Sequence, residues 1–198
     1  MKFKIFKYES VTSTNDIAIN LIKHEKKESG CVFAETQTEG RGNHGKKWIS
    51  DKGNLFLSIF FPLKSKYPPF NEFSIISPII IYDVIKHFCE KKKISLKFPN
   101  DIFVSGKKIC GILQELITSD SKKFLIIGIG INIVSSPKIN NNYQATSILL
   151  EIKKIPQIKE IIYLIISSYE KFFMNLNSYN FLHFKKKADL IALNQIVK

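Results

Sequence analysis

The chain has 198 residues, 44% of them hydrophobic, with 30 Lys and Arg against 17 Asp and Glu and a formal charge of +13. That length supports one domain with a real core, or one domain and a small appendage. No apolar run reaches the length of a membrane span, the amino terminus lacks the apolar centre of a secretory leader, and Cys31, Cys89 and Cys110 fit neither a disulfide framework nor a zinc site, so the expected compartment is a reducing cytoplasm.

Residues 3–8 alternate apolar and basic side chains and read as a strand. Thr12, Ser13 and Thr14 precede Ile17, Ala18, Leu21 and Ile22 at helical spacing, so a hydroxyl residue is expected to cap a helix there. Residues 31–36 read as a strand, 40–48 as a glycine-rich loop and 54–61 as a further strand. Residues 72–92 carry a long helical pattern in which Pro78 either opens the helix after Ser77 or kinks it. The pattern then shortens: residues 95–98, 102–105, 108–118 and 123–134 read as strands, with Ser105-Gly106-Lys107 as a tight hairpin turn and 140–143 as a polar loop. Residues 157–176 place Ile158, Ile161, Ile162, Ile165, Tyr169, Phe172 and Phe173 at helical spacing, and a last helix is expected over 181–192. Glycine is absent after Gly130, which argues against a second small barrel in the rest of the chain. The expected fold is one α+β domain over 1–198, an antiparallel or mixed sheet with helices against it.

Four segments stand out chemically. In GRGNHGKKW, Gly40, Gly42 and Gly45 are interleaved with Arg41, Asn43, His44, Lys46 and Lys47 and closed by Trp48, the only tryptophan. Glycines let backbone N–H groups approach an anion and basic side chains neutralise it, although a solvated surface loop explains the pattern equally well. In KFPNDIFVSGKKICGILQE, Pro99-Asn100-Asp101 marks a turn, and Gly111 inside an apolar strand signals close approach of a ligand or another backbone. Lys107 and Lys108 lead into that strand, where lysines usually face water. In IIGIGINI, Gly128 and Gly130 lie two apart on one face of an isoleucine strand; they leave a flat slot, or allow tight packing against a helix. Asn132 continues that face and needs a hydrogen-bond partner if buried. The fourth segment, TSTND, is at least a helix cap.

Together and in this order the segments resemble the biotin–protein ligase family. Its glycine loop is similar to GRGRxGRxW, against GRGNHGKKW here; its central segment is similar to KWPNDI…KKxxGIL, against KFPNDIFVSGKKICGIL; its later strand is similar to GxGIN, against GIGIN; and STN stands near the start in both. The resemblance runs by motif from Ser13 to about Asn132. It implies a mixed sheet flanked by helices and a two-step reaction. Biotin and ATP give biotinyl-5′-AMP, with Mg2+ accompanying the nucleotide, and a lysine of the biotin carboxyl carrier protein then takes the biotin.

The resemblance also assigns residues. Lys108 meets biotin's carboxylate and later the adenylate, and Arg41 with the loop amides holds negative charge. Ser13, Thr14, Asn15 and Gln37 lie on biotin's side, Ser13, Thr14 and Gln37 as partners of its ureido head; Gly40, Gly42, Gly111, Gly128 and Gly130 line the biotin slot. Asn43, His44, Lys46, Trp48, Asn100 and Asn132 fall on the nucleotide side, with Trp48 helping to close the loop. No protein ligands to a metal are implied.

The chain departs from the family pattern at Asn43, where an arginine is usual, and at Phe98, where a tryptophan is usual. Only twelve residues precede Ser13, so a helix-turn-helix domain and specific DNA binding are not expected, nor is a membrane partner. The family's small C-terminal barrel is expected to be absent, with 193–198 as the lead-in to its first strand, and the protein is expected to be a monomer or homodimer. A lipoate–protein ligase or octanoyltransferase of the same fold is the alternative enzyme. A nucleic-acid-binding module rests on net charge alone, without the aromatic-rich basic strands of RNA readers.

Overall fold

The computed structural model describes residues 1–137 and 144–192; the polar loop and the lead-in strand expected over 140–143 and 193–198 fall outside them. A seven-stranded sheet has the order β1-β2-β3-β7-β6-β5-β4. Its strands are β1 (Ile5–Val11), β2 (Gly30–Gln37), β3 (Leu55–Pro62), β4 (Ile94–Lys97), β5 (Asp101–Val104), β6 (Lys107–Ser119) and β7 (Lys122–Ile131). β1 and β2 pair in parallel and every other neighbouring pair is antiparallel, so the sheet is mixed. A connection carrying α1 (Thr14–Lys23) joins the parallel pair, as a parallel crossover requires. The turn between β5 and β6 has Ser105 and Gly106 at φ 51° and 77°, the two successive positive values of a type I′ hairpin.

The two faces of the sheet are covered unequally. Behind it, α2 (Phe73–Phe88), α4 (Ile158–Met174) and α5 (Phe181–Ile191) pack over Leu57, Ile59, Phe61, Ile112, Ile127, Ile129 and Ile131, which form the main core. In front, α1 alone seals one end of the strands, burying Ala18, Leu21 and Ile22 against Val32, Phe60, Phe124 and Ile126. The other end of the front face is left for the amino terminus of α1 and the chain from Gly40 to Trp48.

The helix boundaries shift from the sequence expectation. α2 starts at Phe73 and ends at Phe88 rather than Lys92, and Pro78 stands inside it. A short helix, α3 (Ile148–Ile152), is present where no helix was expected; Ser147 caps it by accepting from the Leu150 N–H at 3.3 Å. Five residues are too few to show a helical period in the sequence.

Candidate active site

Ser13 caps α1, its hydroxyl accepting from the Asn15 N–H at 3.3 Å. The helix thus presents its positive end, with Thr14 and Asn15 in the first turn, toward the uncovered part of the sheet. The sheet there is stripped of side chains. β7 places Gly128 and Gly130 on the front face, with Phe56 opposite Gly130 and Ser58 opposite Gly128 on β3, and Gly111 opposite Gly130 on β6. Asp101 lies opposite Gly111 on β5, completing a row across four strands.

Lys108 reaches the same face through a bulge. Ile102 pairs with Cys110 but Phe103 pairs with Lys108, so Ile109 is an extra residue in β6. A regular strand would send Lys108 and Gly111, three apart, to opposite faces. With Ile109 bulged, the Lys108 ammonium lies 2.7 Å from Asp101 Oδ1 and 5.5 Å from the centre of the Trp48 ring. Its side chain is 13% exposed. Lys107 points the other way, into solvent.

The run from Gly40 to Trp48 is a small hairpin. Arg41 pairs with Lys47, the Gly42 N–H donates to the Lys46 carbonyl at 2.7 Å, and the Trp48 N–H donates to the Gly40 carbonyl at 2.8 Å. The tip, Asn43–Gly45, is a turn of 3-10 helix. Gly40 answers to close approach: a Cβ there would stand 2.5 Å from the Trp48 carbonyl oxygen. At least that glycine serves the hairpin's own backbone before any anion.

The slot left by the sheet glycines is filled by the protein itself. A Cβ on Gly111 would meet Trp48 Cζ3 at 2.6 Å, one on Gly130 would meet Trp48 Cζ2 at 2.6 Å, and one on Gly128 would strike the Asn15 amide. Among the described residues the buried indole N–H finds no hydrogen-bond partner. What remains is a cavity of about 50 Å³ lined by Ser13, Thr14, Asn15, Gln37, Arg41, Gly42, Asn43, Trp48, Asn100, Asp101, Lys108 and the three sheet glycines, among others. That is room for a few waters rather than a bicyclic ring.

A chain of hydrogen bonds runs along the wall. Gln37 Oε1 accepts from the Thr14 N–H at 2.8 Å, and the Gln37 amide donates to Ser50 at 2.9 Å. Ser58, fully buried in β3, donates to Thr14 Oγ1 at 2.7 Å or Asn15 Oδ1 at 2.5 Å, and the Asn15 amide donates to Glu115 at 2.6 Å. Arg41 donates to both oxygens of Glu115 at 2.8 Å and to Asp16 at 2.7 Å. Partial burial opposes the charge on Arg41, but Glu115 and then Asp16 outweigh it and raise its pKa above the ordinary guanidinium value. Among the described residues two cations that line the cleft, Arg41 and Lys108, are thus paired with three carboxylates, Asp101 in its wall and Asp16 and Glu115 beyond it.

Some expected site residues stand apart from the cavity. His44 and Lys46 are exposed on the hairpin, and Gly40 lies at its base. Asn132 is buried and donates to the Thr146 carbonyl at 3.0 Å, the partner its burial requires. Asn100 lines the cavity and also brackets Ile112, donating to its carbonyl at 3.2 Å and accepting from its N–H at 2.9 Å. Sequence reasoning missed Asp101, which lines the cavity, and Asp16, Ser58 and Glu115, which do not line it but hold the side chains that do. Period-two alternation from Gly111 would have put Glu115 on the same face.

A glycine-floored cleft at a helix amino terminus, with a partly buried lysine and a basic hairpin over it, stands on the mixed sheet of this α+β domain, the kind of concavity in which small ligands bind. The chain belongs to the biotin/lipoate A/B protein ligase family, whose model matches residues 8–132. It is 35% identical over 125 residues to the bifunctional ligase/repressor BirA of Escherichia coli, covering 62% of this chain and 38% of that protein. It is 28% identical over 111 residues to the biotin–[acetyl-CoA-carboxylase] ligase of Paracoccus denitrificans, covering 55% and 46%. The matches thus span less than half the length of these curated relatives. Among solved structures, a biotin protein ligase from Aquifex aeolicus in complex with biotin and ATP superposes with a TM-score of 0.79 at 26% identity, covering 96% of this chain and 78% of that one. The Leishmania major enzyme in complex with biotinyl-5-AMP gives 0.81 at 25% identity, covering 98% and 85%.

Proposed function

We propose that the chain is the catalytic domain of a biotin–protein ligase. It would form biotinyl-5′-AMP from biotin and ATP and pass the biotin to a lysine of a biotin carboxyl carrier protein. The observation that carries the reading is the convergence of the Lys108 ammonium with Ser13, Thr14 and Gln37 on one glycine-floored cleft, in the fold of enzymes solved with biotin, ATP and biotinyl-5-AMP. The three thiols are free and buried, which suits a reducing compartment, and no described helix is long and apolar enough to cross a membrane.

In the first step a biotin carboxylate oxygen attacks the α-phosphorus. The new P–O bond replaces the bond to the β-phosphate oxygen, and pyrophosphate leaves. Two anions must be brought together, and Lys108 is the partly buried cation placed to do so. Its ammonium has three N–H donors, so it can keep Asp101 and still hold a carboxylate or phosphate oxygen. In the second step a neutral carrier amine attacks the anhydride carbonyl, the C–O bond to phosphate breaks, AMP leaves and the nitrogen loses its extra proton. Lys108 can hold the departing phosphate charge.

On the ureido side, the Thr14 and Gln37 polar atoms and the α1 amino terminus supply the donors and acceptors that a cyclic urea needs. Among the described residues no group of three His, Cys, Asp or Glu could hold a metal ion. In this proposal Mg2+ enters on the nucleotide's phosphates, where that ion ordinarily binds with few protein ligands.

The test is incubation with biotin, ATP and Mg2+, followed by mass spectrometry for biotinyl-AMP and an assay for pyrophosphate. Lipoate and octanoate are run in parallel. Adenylate from lipoate but not biotin would move the chain to the other branch of its family.

A further inference from the structure

In the closed cleft Arg41 is committed to the protein. Three of its N–H bonds go to two carboxylates on different elements, Asp16 in the first turn of α1 and Glu115 on β6. The Glu115 contact is bidentate, the geometry that adds most to an arginine–carboxylate pair. Asn15 holds the second oxygen of Glu115 from the other side at 2.6 Å, so the carboxylate is itself fixed. The segment that Arg41 ties down carries Trp48, whose indole fills the slot over Gly111 and Gly130. A ligand with rings needs the slot that the indole now fills, and the Arg41 cluster is the ion-paired contact that ties the hairpin to the sheet, beside the packing of Trp48 itself and its approach to Lys108.

We infer that Arg41, Asp16 and Glu115 form a latch that holds the hairpin and Trp48 shut over the cleft, an inference that rests, for the adenylate it would retain, on the function proposed above. On this account the guanidinium that the sequence assigns to an anionic ligand works chiefly on the protein's own carboxylates. The latch governs ligand exchange, and Lys108 governs chemistry.

Glu115→Gln is the discriminating variant. It keeps the shape and an oxygen for Asn15 but removes the charge facing Arg41. In ligand-free protein, trypsin should cut after Arg41, Lys46 or Lys47 about fivefold faster than in wild type, with cleavage elsewhere unchanged; the size reflects a half-exposed but bidentate ion pair. Preformed biotinyl-AMP should leave about fivefold faster, while single-turnover adenylate formation at saturating biotin and ATP stays within about twofold. The charge swap Arg41→Glu with Glu115→Arg should recover part of the protection at Lys46 and Lys47, which a merely unfolded variant would not. Unchanged hairpin cleavage in Glu115→Gln overturns the latch. So does slower release of the adenylate, because then the carboxylate was withholding Arg41 from the ligand. If wild type makes no biotinyl-AMP, the ligase reading falls, and the ligand-free cleavage still decides whether the latch exists.

Discussion

Gly130→Ala puts a methyl group where the indole now lies. The added Cβ would strike Trp48 Cε2 and stand 2.6 Å from both Trp48 Cζ2 and Trp48 Nε1. Carbon atoms in comfortable contact sit about 3.5 Å apart or more, so the ring must retreat by about 1 Å. The backbone of β7 cannot retreat instead, because Gly130 is paired with Phe56 on one side and Gly111 on the other. If the hairpin holds the ring in place, the overlap costs about 1–3 kcal/mol, or a Tm lower by roughly 2–12 °C for a chain of this size. If the hairpin lifts, the overlap is relieved but the indole loses its burial and meets water. Trp48 is the only tryptophan, so its emission reads the site directly. The expected result is a red-shifted spectrum with greater acrylamide quenching, or an unshifted spectrum with the lowered Tm. An unchanged spectrum together with an unchanged Tm would show that the indole does not lie on the glycine floor.

Lys108→Ala should lower the rate of adenylate formation by at least a hundredfold, on the order expected for removing one preorganised electrostatic contact, with the circular dichroism spectrum unchanged; Lys107→Ala, facing solvent, should stay within a few-fold, and a Lys108 variant near wild-type rate would remove it from the mechanism. Asn43 lines the cavity, and Asn43→Arg adds a charge-assisted donor where a neutral one stands. Release of biotinyl-AMP should slow by up to about tenfold in a chase with unlabelled ligand, and equal rates would mean that neighbouring bases already do this work. Burial pushes the thiols of Cys31 and Cys110 well above the ordinary range and that of Cys89 to about 11, so the native protein should resist a thiol reagent at pH 8 that modifies all three cysteines in denaturant. Burial works against ionisation of Glu170, and hydrogen bonds from Lys2 and the Phe3 N–H overcome it and hold its pKa below the ordinary glutamate value. A lowered folded-state pKa stabilises above the unfolded value and is lost as pH falls through the folded one. The stability gap between wild type and Glu170→Gln, under about 1 kcal/mol for a pair with so exposed a lysine, should therefore close on acidification, as measured by urea titrations at neutral and acid pH.

All seven strands and the four longer helices were legible in the sequence, the half-buried ones because their apolar residues repeat with a period of two or near 3.6, and β3, buried on both faces, as a continuous apolar run. The Ser13 cap and the Ser105-Gly106 turn were legible for local reasons, a hydroxyl before an amphipathic run and a pair able to take positive φ. So were the segments of the cleft: Ser13, Thr14, Gln37, Asn100, Lys108, Gly111, Gly128 and Gly130 all line one cavity. Asn132, His44 and Lys46 belong to the same segments yet do not line it, since a motif marks a stretch of chain and not which side chains face inward.

What the sequence determined by itself was the set of local propensities: the elements, the glycine positions and the presence of a basic run beside a lone tryptophan. The tertiary structure decided the relations between them. Lys108 and Gly111 share a face only because Ile109 bulges out of register with β5, and register is settled by the pairing of two strands. Arg41 meets Glu115, 74 positions away, and Asp16, 25 positions away, and no periodicity carries information over such distances. The glycine slot is covered by Trp48 for the same reason: a bare strand face is a property of β6 and β7, but which ring lies on it depends on where the hairpin folds back. Contacts between distant segments are fixed by packing the whole sheet, which is why a local reading finds the parts of this cleft and only the fold shows it closed.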